Sequence, residues 1–130
     1  MMSSEIKSII DQLLNEEQNV FGVAIIGKSG ALITQTENWN ISNDLMALID
    51  LIKSDSGIGS LSIQGIKYMI VENAPERKIG TNITGKGHVI VCPIPVGGTG
   101  ALICYINPQV SPREALFAVQ TYARKLMDLV

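Results

Sequence analysis

Aromatic residues are scarce in this chain: two Phe, three Tyr and one Trp among 130 residues. With so few rings, a net charge of −2 and only ten scattered Lys and Arg, it lacks the basic footprint of a nucleic-acid binder. No apolar run reaches the ~18 residues of a membrane span, and the N-terminus reads as a charged amphipathic helix instead of a signal peptide. A cytoplasmic protein is expected. Cysteine is limited to Cys92 and Cys104, both in apolar, strand-like segments, where free thiols in a reducing compartment are expected; a disulfide would require their strands to pair. His88 is the only histidine, at a strand start with no nucleophile assignable beside it, and neither the cysteines nor Glu16-Glu17 show a metal-site spacing. Neither enzymatic activity nor a cofactor is expected, and the reading that remains is a binding module.

What is present is apolar sequence in short, well-punctuated segments. Hydrophobic residues make up 46% of the chain against 17% charged, which argues against disorder, and the length suits one domain, residues 1–130, with a core of its own. Ile6, Ile9, Ile10, Leu13 and Leu14 follow helical spacing behind Ser3 or Ser4 as cap. Val20 to Ile26 and Ala31 to Thr36 read as strands joined by the turn Gly27-Lys28-Ser29-Gly30. Ser42 is expected to cap a second helix that buries Leu45, Leu48, Ile49 and Ile52, closed by Gly57 and Gly59.

Leu61 to Glu72 reads as one strand or as two strands bent at Gly65, placing Ile66, Tyr68 and Ile70 on one face and Lys67, Met69 and Val71 on the other. Asn73 to Lys78 is expected to turn, and Ile79 to Ile83, His88 to Cys92 and Ala101 to Ile106 to be further strands. Pro93 to Gly100 should connect the last two, at an edge or outside the sheet, because proline cannot donate to a ladder. The order predicts an α+β fold: a central antiparallel sheet with the N- and C-terminal helices packed on one face and a middle helix on the other.

The last segment, Ser111 to Val130, reads as a helix opened by a Ser-Pro-x-Glu capping box. At about 100° per residue, Ala115, Ala118, Val119, Tyr122, Ala123, Leu126, Leu129 and Val130 share a core-facing arc. Arg113, Glu114, Gln120, Thr121, Arg124, Lys125 and Asp128 fill the other, with Leu116 and Met127 at its edge. Phe117 falls inside the polar arc. Two readings fit it: an interface anchor ringed by charge, or an isolated exposed or loop-covered aromatic.

Gly22 to Ser29 spells a Walker A motif, but that mechanism needs a loop followed by a helix that aims its amides at phosphate. Here the intervening residues are strand, and another strand follows, so a hairpin turn is expected. Asn40-Ile41-Ser42 and Asn82-Ile83-Thr84 spell glycosylation sequons, which carry little weight without a secretion signal.

Several collinear motifs resemble the profilin family. They are Ala24-Ile25-Ile26-Gly27-x-x-Gly30, Gly65-Ile66-Lys67-Tyr68-Met69-Ile70-Val71, Gly85-Lys86-Gly87 before a β-branched strand, Ala101-Leu102-Ile103, and the Ser111-Pro112 helix start. The best fit is a divergent profilin, an archaeal type being among the options. The resemblance implies an actin-monomer-binding protein that regulates polymerisation, holding actin on its C-terminal helix and neighbouring strands. By position this implicates Lys67, Met69 and Glu72 on the strand, Lys86 near the same surface, and Arg113, Leu116, Phe117, Gln120, Thr121 and Arg124 on the helix.

The family's second ligand is polyproline, held in an aromatic groove between the terminal helices. Here the first helix has no aromatic, Ile33 stands where a tryptophan is expected, and Lys125 and Leu129 occupy the last helix. That groove therefore reads as degraded or absent, while a shifted one stays open. Phosphoinositide binding, also known for the family, is unsupported by the acidic net charge and dispersed lysines. A monomer is expected. The alternative class is a roadblock or longin-like scaffold for small GTPases, which predicts a dimer; a nucleotide-binding enzyme using Gly22 to Ser29 is a third.

Overall fold

A computed structural model describes residues 4–54 and 57–130. Its centre is a seven-stranded antiparallel sheet in the order β2-β1-β7-β6-β5-β4-β3. The strands are β1 (Val20–Ile26), β2 (Leu32–Gln35), β3 (Ser60–Ile63), β4 (Ile66–Ala74), β5 (Arg77–Thr81), β6 (His88–Ile94) and β7 (Gly100–Ile106). Helices α1 (Ser4–Glu16) and α3 (Arg113–Lys125) share one core with one face of the sheet, and α2 (Leu45–Lys53) shares a second core with the other. This is the expected α+β arrangement.

The period-2 alternation of the central strands feeds both cores. Val23, Ile25, Ile90, Cys92, Leu102 and Cys104 pack beneath α1 and α3, while Ala24, Ile26, Val89, Val91, Ala101 and Ile103 pack toward α2. Apolar groups on both faces are why these strands read as near-continuous hydrophobic runs. Cys92 and Cys104 are buried free thiols. Burial pushes the Cys92 thiol up to about 12, against a smaller lowering by Arg77 and Arg124, and raises that of Cys104 well above its ordinary range.

Several boundaries differ from expectation. The Asn73 to Lys78 turn shrinks to Pro75-Glu76, because β4 continues to Ala74 and β5 begins at Arg77. Lys78, read as turn material, is instead a buried strand residue whose Nζ donates to Ser54 O at 2.9 Å and to Asn73 Oδ1. A buried ammonium is tolerated when oxygens surround it; this one staples the end of α2 to the β4–β5 hairpin.

Pro93 lies within β6, opposite Ala101, so the connection starts later than expected, and of the two places expected for it, an edge or outside the sheet, the edge is the one observed. The pairing of β5 with β6 ends at Val91, so the proline sits where the strand keeps one neighbour only, a position that tolerates a missing donor. The β3–β4 bend is a tight hairpin in which Gln64 and Gly65 both have positive φ, 53° and 79°, the twist that two-residue turns favour.

Ser42 opens a 3-10 turn and does not cap the second helix; Asp44 precedes α2, and its carboxylate accepts the Gln64 N–H at 2.9 Å. The buried stripe is Leu48, Leu51 and Ile52, with Leu45 only partly covered. The helix ends at Lys53, with Ser54 closing it through Leu51 O, before either glycine is reached. Ser3, one of the two caps considered for α1, lies outside the described residues.

The last helix is shorter than Ser111 to Val130. Ser111 does accept the Arg113 N–H, at 3.3 Å, but regular helix stops at Lys125. From there the amides of Leu126, Met127 and Leu129 reach back three residues, a tightening common at helix ends.

Candidate functional site

Helix α3 sits on the sheet by Ala115, Val119, Tyr122 and Ala123, and Leu126 continues the buried arc beyond its end. The opposite face carries Phe117, 79% exposed. An aromatic ring left in water forgoes the stabilisation that burial gives elsewhere in the chain. Its flanks are polar: Gln120 and Thr121 are half-buried and Arg113 and Arg124 exposed. The Thr121 hydroxyl donates to Phe117 O at 2.9 Å. Leu116 is partly buried against the core and protrudes less than its neighbour.

Strand β4 supplies the other wall. Tyr68 is buried, with Ile66 and Ile70 packed beside it, and Lys67, Met69 and Val71 are exposed, as the alternation predicts. A bulge between Ile70 and Glu72 leaves Val71 out of register, and it is 63% exposed. One consequence is that Glu72 reaches the helix: its Oε1 accepts from Arg113 Nη2 at 2.7 Å, while Oε2 lies 2.5 Å from Arg77 Nε. Two of the implicated residues are thus brought into direct contact.

The loop at residues 82–87 is organised by one side chain. Asn82 Oδ1 accepts the N–H groups of Thr84 and Lys86, and its Nδ2 donates to Lys67 O at 2.8 Å. The backbones of Lys67 and Lys86 are thereby fixed to each other at the start of β4, with both side chains exposed. No hydrogen bond or ion pair joins either lysine to α3 among the described residues. At the far end of β4, Gln120 and Arg124 line a small apolar cleft of about 160 Å³ with Glu76, Pro95, Val96 and Met127.

Sequence reasoning passed over Val71, Ile83 and Met127. Val71 shares the exposed strand face that the alternation gives Lys67 and Met69, and Ile83, 81% exposed, is an apolar residue alone in a polar turn, the one signal that marks it.

Between the terminal helices, the buried Tyr122 hydroxyl donates to the Glu16 carboxylate, and Lys125 Nζ lies 4.5 Å from the Tyr122 ring centroid. That hydrogen bond, with burial behind it, raises the Tyr122 pKa. Ile33 and Leu129 pack against the adjoining core. No aromatic face stands open there among the described residues. The Gly27 to Gly30 segment is a hairpin turn whose Gly27 and Gly30 amides are bonded to Ala31 O and Gly27 O, each at 2.9 Å; these two are not free to cradle a phosphate.

The profilin family model matches residues 4–129. The chain is 66% identical to Loki profilin-1 of Lokiarchaeum sp. (strain GC14_75), over 99% of this chain and 100% of that one. It is 30% identical to Odin profilin of Odinarchaeota yellowstonii (strain LCB_4), over 86% and 89% of the two chains. Among solved structures, that of LokiProfilin2 in complex with rabbit actin matches with a TM-score of 0.97 at 62% identity, covering 99% of this chain and 100% of that one. The LokiProfilin1 complex with rabbit actin matches at 0.96 and 66% identity, covering 99% and 98%.

Proposed function

The chain belongs to the profilin family, and from that membership we propose that it binds actin monomers through the face built by α3, β4 and the 82–87 loop. The reading is supported by relatives more than 60% identical whose solved structures are complexes with rabbit actin. On this chain the carrying observation is Phe117, exposed on α3 beside the Glu72–Arg113 pair. Large apolar side chains ringed by polar groups are the usual energetic centre of an interface.

In this account Phe117 is the anchor, with Leu116, Met69 and Val71 adding apolar area around it. Arg124, Lys67 and Lys86 present positive charge at the rim, where it steers an acidic partner and fixes register more than it adds affinity. Arg113 is held by Glu72 and acts as a positioned donor. Gln120 and Thr121 complete the helix side. A monomer held on this face is withheld from filament nucleation, so the protein acts stoichiometrically in the cytoplasm and without a catalytic step. Among the described residues the Glu16–Tyr122 junction between the terminal helices presents no open aromatic face, which speaks against polyproline at that place.

The test is polymerisation of actin from the same source with increasing amounts of the protein. A concentration-dependent lag and a lowered filament yield are expected. Unchanged kinetics at a several-fold molar excess contradict the proposal. The scaffold alternative is set aside by family membership, and the hairpin geometry of Gly22 to Ser29 leaves no helix at the Lys-Ser position for nucleotide.

A further inference from the structure

The proposed actin face ends at a cleft. Phe117, Gln120 and Arg124 follow one another on α3 at i, i+3 and i+7, so they share one stripe of the helix surface. Gln120 and Arg124 also line the cleft of about 160 Å³ between α3 and the segment that leaves β6. At about 1.5 Å per residue, Gln120 lies roughly 4.5 Å along the helix from Phe117. A partner that covers the Phe117 ring therefore reaches the opening.

The cleft is apolar inside and polar at its rim. Cys92, Ile94 and Ala123 are buried at its floor, and Val96 and Met127, 62% and 39% exposed, form its sides. Its charged groups, Glu76 and Arg124, are exposed and of opposite sign, and no ion pair joins them among the described residues. One side is preformed. The turn from Pro95 to Gly98 is closed by the Gly98 N–H donating to Pro95 O at 2.7 Å, Gly97 takes a φ of 77°, and the Thr99 hydroxyl donates to Lys28 O at 2.6 Å. Val96 is thus carried on a fixed turn, and little ordering entropy is lost when a partner packs against it.

Water in such a cleft finds few bonding partners on the walls, and an apolar group that displaces poorly held water gains affinity. A charged side chain would lose its hydration against the apolar floor. The volume falls below the about 300–1,000 Å³ of pockets that take drug-sized ligands and suits a single side chain.

We propose that the cleft is the second anchor point of the actin face: an apolar side chain of the bound monomer enters between Val96 and Met127 and packs on Ala123, while Phe117 is covered about one helical turn away. The inference rests on the actin reading of α3, which makes the monomer the molecule lying over both features.

The test measures the affinity for monomeric actin of the natural chain, Phe117→Ala, Val96→Asp and Met127→Ala, with thermal unfolding as the check on folding. Val96→Asp should weaken binding roughly tenfold, because an apolar group cannot replace the hydration of the aspartate, and Met127→Ala should weaken it as well. Entry into the cleft is read by cross-saturation in the complex of protonated actin with the full chain, deuterated except for its alanine, valine and methionine methyl groups. Irradiating actin should attenuate the Ala123 methyl along with those of Val96 and Met127, and spare Met46 on α2. Binding lost in Phe117→Ala but kept in both cleft variants overturns this inference and leaves the actin reading standing; no binding by the natural chain removes both. Attenuation of Val96 without Ala123 means a partner over the opening and not inside it, and overturns the inference. So does a Val96 methyl shift that follows chain concentration in the absence of actin, which marks a second copy of this chain as the occupant.

Discussion

Glu72 and Arg113 stand 41 residues apart and meet at 2.7 Å, with Arg77 closing on the other carboxylate oxygen of Glu72. This arrangement ties the N-terminal turn of α3 to β4 and β5. The Arg113 side chain is 64% exposed, so solvent screens the pair and its coupling is modest. A double-mutant cycle over Glu72→Ala and Arg113→Ala should give about 0.2–1 kcal/mol in urea unfolding. The same substitutions should weaken actin binding, because they release a guanidinium positioned at the proposed interface.

Phe117 separates binding from folding most cleanly. Its ring is exposed, so Phe117→Ala should change stability by less than about 0.5 kcal/mol. Loss of an interface anchor should cost about 2 kcal/mol or more in actin affinity. Thermal unfolding and a binding titration on one preparation check both halves.

Lys78 predicts the opposite division. Truncation to alanine leaves Ser54 O and Asn73 Oδ1 without their buried donor and opens a void beneath α2. Lys78→Ala should destabilise by about 2–4 kcal/mol, read as a lower urea midpoint. Actin binding under folding conditions should survive.

Alkaline pH should erode stability. Burial lifts the Cys92 thiol from an ordinary value near 9 to about 12, and Cys104 and Tyr68 shift in the same direction for the same reason. The folded chain therefore keeps protons that the unfolded chain releases. Stability from these groups is complete below about pH 9 and falls as pH rises toward about 12. Urea midpoints at neutral and alkaline pH should show the decline, and Cys92→Ala should make it shallower.

Much of the fold was legible in local pattern. The amphipathic spacing of Ile6, Ile10 and Leu13 and the alternation through Lys67, Tyr68 and Met69 correspond to buried and exposed faces in the structure. The misreadings came where tertiary context overrode local chemistry. Lys78 and Pro93 look like punctuation in sequence, and both became strand because neighbouring elements supplied acceptors for one and an unpaired ladder edge for the other. Phe117 was visible as an anomaly on a helical wheel. The Glu72–Arg113 contact and the cleft between α3 and the Pro95–Gly98 turn were not, since they depend on sheet order and on a bulge that no local spacing encodes.

The central claim is that actin lands on α3 and β4, and the most direct measurement is the affinity for monomeric actin of the natural chain, Phe117→Ala and Met46→Ala. Met46 is 71% exposed on α2, which packs on the other sheet face. Binding by the natural chain, a loss of roughly thirtyfold or more in Phe117→Ala and no change in Met46→Ala are predicted. Equal affinity for the natural chain and Phe117→Ala, or a loss confined to Met46→Ala, would contradict the account.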